Sequence, residues 1–203
     1  MTSSPTTLSR SDRIGMYATI VLGAIGAAAT IWAAVVRLAE VLPGHDIPVL
    51  VPFVGETATL PIGPGGADVG VEVDQAIVTV SDPAAATLFA LIAQPIVTGL
   101  AVLAGILLLC LFCLNVARGR AFAASTVRIV LAGVGVLLAG WVLGSLFQTM
   151  GVNGTLAAVS DRDYDGVLFQ TDFTAVFAIL ALGAIGAAFQ VGHRLQRETE
   201  GLV

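Results

Sequence analysis

Residues 14–36 are twenty-three consecutive residues without a charge, and residues 83–117 extend the same pattern to thirty-five. A helix on the surface of a soluble protein needs a charged or polar face, and neither run can supply one. About 20 apolar residues suffice to carry an α-helix across the hydrocarbon of a bilayer. Two more apolar runs, 127–147 and 173–191, meet the same length. Charged residues make up only 11% of the chain and hydrophobic ones 57%, where an ordinary soluble domain carries about 25% charged residues. With a mean hydropathy of +0.95, the chain reads as one whose solvent is lipid.

The expected fold is therefore an all-α membrane protein, a four-helix transmembrane bundle with a small β-rich extracytoplasmic insertion between the first two spans. The divisions are a tail (1–13), a first span (14–36), the β-rich loop (37–86), a second span (87–114), a basic turn (115–126), a third span (127–147), an acidic loop (148–172), a fourth span (173–191) and a tail (192–203). The first apolar run exceeds the roughly 7–15 residues of a signal-peptide core and is expected to be a retained span. Within the β-rich loop, 49–54 and 57–62 form one candidate strand pair, and 69–73 and 76–80 another, joined by a tight turn at Asp74-Gln75. Three or four strands are expected. Pro95 is expected to kink the second span, and Ser125 to cap the third.

Charge sets the expected orientation, because arginine and lysine favour the cytoplasmic side of short loops. One face holds Arg10, Arg13, Arg118, Arg120, Arg128, Arg194 and Arg197 against Asp12, Glu198 and Glu200. The opposite face holds eleven carboxylates and only Arg37 and Arg162. Both termini are thus expected in the cytoplasm. The net charge of −5 leaves no basic stripe for nucleic acid.

Between the span ends there is no Asp, Glu, Lys or Arg. Ionisable groups inside the membrane mark proton relays and ion-coupled transport, so their absence from the sequence argues against a pump and leaves a hydrolase without a general base. Gln94, Gln148 and Gln190 are few and peripheral for a solute path. Cys110 and Cys113 form a C-x-x-C within a span, without the further ligands of a metal site, and read as small apolar residues. His45 and His193 stand alone at the interfaces.

Small residues are the positive signal of the spans. Leu-Gly-Ala-Ile-Gly-Ala-Ala occurs at 22–28 and again at 182–188, bringing Gly23, Gly26, Gly183 and Gly186. The third span adds Gly140 and Gly144. Helices in lipid associate through close backbone approach at such positions, either within the bundle or with a partner's helix, or by self-association.

One loop resembles a cation site. Asp161, Asp163 and Asp165 fall at positions one, three and five of a calcium-loop pattern, with Gly166 at the turn, the Val167 carbonyl at seven and Asp172 in the closing place. Asp is shorter than the usual closing Glu, and an acidic solvated turn fits the same residues. The basic turn of Arg118, Arg120 and Arg128 can attract anionic headgroups, although orientation alone explains it.

The turn Asn115-Val-Ala-Arg118-Gly119-Arg120-Ala-Phe122 and the ending Phe189-Gln-Val-Gly192-His-Arg194-Leu195-Gln-Arg197-Glu198-Thr-Glu200-Gly201-Leu202-Val203 resemble a family of small bacterial membrane proteins known as domain of unknown function 2975. The resemblance implies four spans, a comparable first extracytoplasmic loop and a bacterial cell membrane. It carries no established activity; some relatives look like partners of small helix-turn-helix regulators. The expected function is a non-enzymatic accessory or regulatory subunit in the lipid bilayer, acting through another membrane or cytoplasmic protein. A small-solute transporter or channel working as an oligomer, and an extracytoplasmic calcium (Ca2+)-responsive sensor, are the alternatives.

Overall fold

The computed structural model describes residues 10–118, 123–163, 169 and 173–200. Its elements, in chain order, are α1 (Arg10–Val41), β1 (Ile47–Leu60), a 3-10 turn (Pro64–Gly66), β2 (Val69–Val80), α2 (Ala85–Ala117), α3 (Ala124–Val159) and α4 (Phe173–Glu200). All four α-helices are long and apolar enough to cross a membrane. Between α1 and α2 in the chain lies a two-stranded antiparallel sheet.

The helices outrun the apolar stretches that seed them. With 36 residues, α3 is about 54 Å long, against roughly 30 Å of hydrocarbon. Its continuation past residue 147 corrects the expected loop over 148–172, whose first part is helical to Val159. Gln148, Thr149 and Asn153 lower the hydropathy there without breaking the helix. Asn153 Nδ2 donates to the Thr149 carbonyl at 2.8 Å and Ser160 Oγ to Leu156 O at 2.8 Å, so these side chains bond to their own helix. The start of α3 also moves. The Ala123 carbonyl accepts from the Thr126 and Val127 amides, which puts Ser125 inside the first turn and not at its cap. Pro95 is likewise an interior residue of α2.

The chain divides into two compact units. The first comprises Met1–Val35, Ile96–Leu143 and Asp172–Val203 and is helical among its described residues. Its helices meet at small residues and edge-to-face rings: Phe112 of α2 and Phe189 of α4 lie 5.6 Å apart at 87°. Asn115 Nδ2 reaches the fully buried Thr126 Oγ1 at 3.2 Å and ties the end of α2 to the start of α3. Many of this unit's large apolar side chains are exposed, Trp32 by 72%, a surface suited to acyl chains and not to water.

The second unit comprises Val36–Pro95 and Gly144–Thr171. Its core gathers Val41, Ile47, Val49, Val51, Val80, Leu91, Val152 and Leu156, so one face of the hairpin base is packed against helical residues. The base is closed by polar contacts. The Asp46 amide donates to Ser81 Oγ at 2.9 Å, the Asp82 amide donates to Gly44 O at 2.9 Å, and His45 Nδ1 lies 3.2 Å from Asp82 Oδ1.

The sheet departs from expectation in one instructive way. Two long strands replace the three or four short ones, and β2 passes straight through Asp74-Gln75. The pairing runs from Ile47↔Val80 to Pro52↔Gln75, then resumes at Glu56↔Val73 and ends at Leu60↔Val69. The extra residues form a bulge in β1, where Gly55 takes a φ of +73°, a conformation glycine adopts without steric cost. The sequence alternation does break at Asp74-Gln75, but the break changes which face is apolar and does not turn the chain. Alternate residues of a strand line one face. Ala76, Val78 and Val80 therefore share the core face, while Val69, Val71 and Val73 share the other.

Candidate functional site

Three α-helices of the first unit leave a groove of about 540 Å³ between them. Ile106 and Phe112 of α2, Ile129 and Leu137 of α3, and Leu182 and Ile185 of α4 are among its walls, and every lining side chain is apolar. Gly105 and Gly133 also line it. A Cβ built on Gly133 would meet nothing within 4 Å, so the missing side chain deepens the groove and relieves no clash.

Around the groove the predicted glycines hold helices at close range. A Cβ on Gly23 would come within 3.2 Å of Cys110 Sγ and 3.3 Å of Ile106, and one on Gly26 within 3.6 Å of Ile106. Gly140 faces Ala101 so closely that a Cβ would overlap the Ala101 methyl. Gly186 lies against Val130 and Leu131. Gly144 is buried on α3, whereas Gly183 has nothing within 4 Å and makes no such contact. Cys110 and Cys113 are free thiols, Cys110 being the packing surface for Gly23.

Sequence reasoning missed a second glycine pair. Gly151 abuts Leu91, and a Cβ on Gly154 would collide with Thr87. Their i, i+3 spacing puts them on one helix face, a signal obscured by ending the third span at residue 147. Also missed was the company of Gln94 and Gln148, which line a pocket of about 130 Å³ in the second unit together with Arg37, Leu91, Phe147 and Val152. Arg37 Nη1 there donates to the Pro48 carbonyl at 2.8 Å and to Glu40 at 3.0 Å. This arginine anchors the hairpin base as well as marking a span end.

Of the calcium-loop candidates, Asp161 and Asp163 are described, and Asp165, Val167 and Asp172 lie outside the described residues. Asp161 (φ +51°) and Arg162 (φ +72°) are left-handed, and the Arg162 amide donates to Ala157 O at 3.1 Å. That closes the end of α3 in the manner of a Schellman cap, with Asp in the place glycine usually takes. No group of three or more His, Cys, Asp or Glu gathers at metal-binding range among the described residues. Arg118 is exposed at the end of α2, Arg128 is exposed with Nε 3.4 Å from Ala124 O, and Arg120 lies outside the described residues. Neither Arg118 nor Arg128 lines the groove.

The fold and groove define a class: a mostly helical chain with four helices of membrane-crossing length and one appended hairpin. No protein-family model matches the chain, and neither does any curated protein or solved structure.

Proposed function

We propose that the chain is a non-enzymatic integral protein of a bacterial cell membrane, an accessory or regulatory subunit that works through a protein partner. In this reading the four helices form a transmembrane bundle, both termini are cytoplasmic and the hairpin is extracytoplasmic. The observation that carries it is the apolar groove between α2, α3 and α4. Lipid tails are as apolar as leucine, so helices in a bilayer associate through fit and not through hydrophobic drive. A concave seat floored by Gly105 and Gly133 offers that fit to the ridge of another helix. The distribution of arginines and carboxylates supports the orientation, and the absence of ionisable residues from the spans supports a role without catalysis. The resemblance of residues 115–122 and 189–203 to the bacterial family supports the setting.

Gly133→Leu tests it. The new Cβ meets nothing within 4 Å, the groove of about 540 Å³ lies beside it for the rest of the side chain, and helix propensity improves by roughly 1 kcal/mol, so the fold should survive while the groove fills. The expected result is a protein that co-purifies stoichiometrically from the native membrane with the wild type and falls at least tenfold with the variant. A strict monomer in every mild detergent would sink the partner, and solute flux through liposomes holding this chain alone would replace the reading with transport.

A second reading concerns calcium. Since α3 ends at Val159 and α4 begins at Phe173, residues 161–172 connect two helices as a cation loop would. An extracytoplasmic site of this kind binds on the order of 0.1–1 mM calcium. Millimolar calcium should raise the melting temperature of the wild type and leave Asp163→Ala unchanged; identical melting of both would remove the site.

A further inference from the structure

The face of the hairpin turned away from the second unit's core carries an interrupted apolar stripe, with Glu56, Gln75 and Thr79 on the same face as its apolar residues. Cross-strand partners share a face, so the register places Leu50 beside Ile77, Ala58 beside Val71 and Leu60 beside Val69, with Val73 on the same side of β2. Four of these are openly accessible: Ile77 by 70%, Leu60 by 44%, Val69 by 38% and Leu50 by 56%, although Leu50 also lines the pocket of Arg37, Gln94 and Gln148. An antiparallel sheet with one packed face normally presents polar side chains on the other. Here the polar residues Thr57, Thr59, Glu72 and Asp74 occupy the core-side parity of the distal arm instead. Beyond the bulge the arm has no buried residue, and both strands have an unpaired edge. Two strands without further cover are marginal in water.

We infer that this stripe is a docking surface for a second protein whose contact surface is apolar and carries basic groups that meet Glu56 within the stripe and Asp68 at the end of the arm. Charge selects that partner. Between residues 53 and 75 the arm carries no cation and four carboxylates: Glu56 on the stripe's own face, Asp68 in the connection before β2, and Glu72 and Asp74 on the opposite face. A second copy would bring four more carboxylates against these, and an anionic lipid surface would be repelled likewise. A basic surface is attracted by the carboxylates while its apolar centre covers Leu60, Val71 and Ile77. The inference rests on the extracytoplasmic placement of the hairpin proposed above.

The test is photo-crosslinking in intact cells, with a benzophenone side chain placed in turn at Val71, at Ile77 and, as the opposite-face control, at Glu72. A discrete adduct is expected from Val71 and Ile77 and not from Glu72. Its yield should fall about tenfold when Glu56→Lys and Asp68→Lys are combined, the scale of a misplaced charge pair, and fall less with Glu56→Gln and Asp68→Asn, which remove the attraction without adding repulsion. An adduct of twice the chain mass, an adduct to phospholipid, equal yields from both faces, or a yield indifferent to charge reversal would each overturn the inference. Placement is read separately, by labelling Thr59→Cys with a membrane-impermeant maleimide in the same cells. No labelling overturns the orientation and the docking with it. Labelling without any face-selective adduct overturns the docking alone.

Discussion

Gly140→Leu should lower the stability of the first unit by about 3 kcal/mol, the upper part of the range for overpacking a filled interior. Gly140 is buried on α3, and a Cβ there would already overlap the Ala101 methyl of α2. Alanine has no rotamer to move aside, so relief requires the two helix backbones to separate. The loss is not local, because in lipid the α2–α3 association depends on this proximity. The expected readout is a melting temperature in detergent lower by roughly 5–10 °C. Gly183→Ala is the matched control: its Cβ enters open space, and the change should be neutral or stabilising by up to about 1 kcal/mol through helix propensity. Equal melting of the two variants would refute the close α2–α3 approach at Gly140.

Ile47→Ala should cost the second unit about 3–4 kcal/mol, within the range for truncating a fully buried aliphatic side chain. Ile47 is 0% exposed and belongs to the cluster of Val41, Val49, Val51, Val80, Leu91, Val152 and Leu156. It is also paired with Val80 at the base of the hairpin, where the polar clasp of Asp46, Ser81 and Asp82 closes the turn from α1. Removing it therefore leaves a cavity beneath the point from which both strands leave the core. The hairpin should become sensitive to protease at concentrations that spare the wild type. Ile77→Ala, on the opposite face of the same sheet, should shift stability by no more than about 0.5 kcal/mol. A hairpin equally resistant in both variants would show that the Ile47 cluster does not hold it.

The contrast between Ile47 and Ile77 also marks the limit of reading a hairpin from its alternation. The run Val69-Gly-Val-Glu-Val73, then Asp74-Gln75, then Ala76–Val80 looks like two strands with a turn because its apolar parity breaks. A bulge placed in β1 at Gly55 lets β2 continue through the break. The choice between turn and bulge depends on the partner strand, which local sequence does not contain. The same holds for residues 148–159. Hydropathy falls at Gln148, and a membrane span should end there, but helix propensity does not fall with it, and α3 continues to Val159. The Gly151 and Gly154 contacts with Leu91 and Thr87 lie on that continuation.

Sequence alone determined that this chain has four helices of membrane-crossing length, where they lie to within a few residues at their apolar centres, and which glycines could bring them together. It could do so because transfer into lipid depends on composition over about 20 residues, a quantity that needs no knowledge of neighbours. Tertiary structure alone decided that Gly140 and Gly186 are contacts while Gly183 is open, that Gly105 and Gly133 line a groove, that Arg37 shares a pocket with Gln94 and Gln148, and that the apolar side of the hairpin changes across its bulge. Each of these is a relation between residues distant in the chain, set by packing and register, and neither hydropathy nor spacing encodes it.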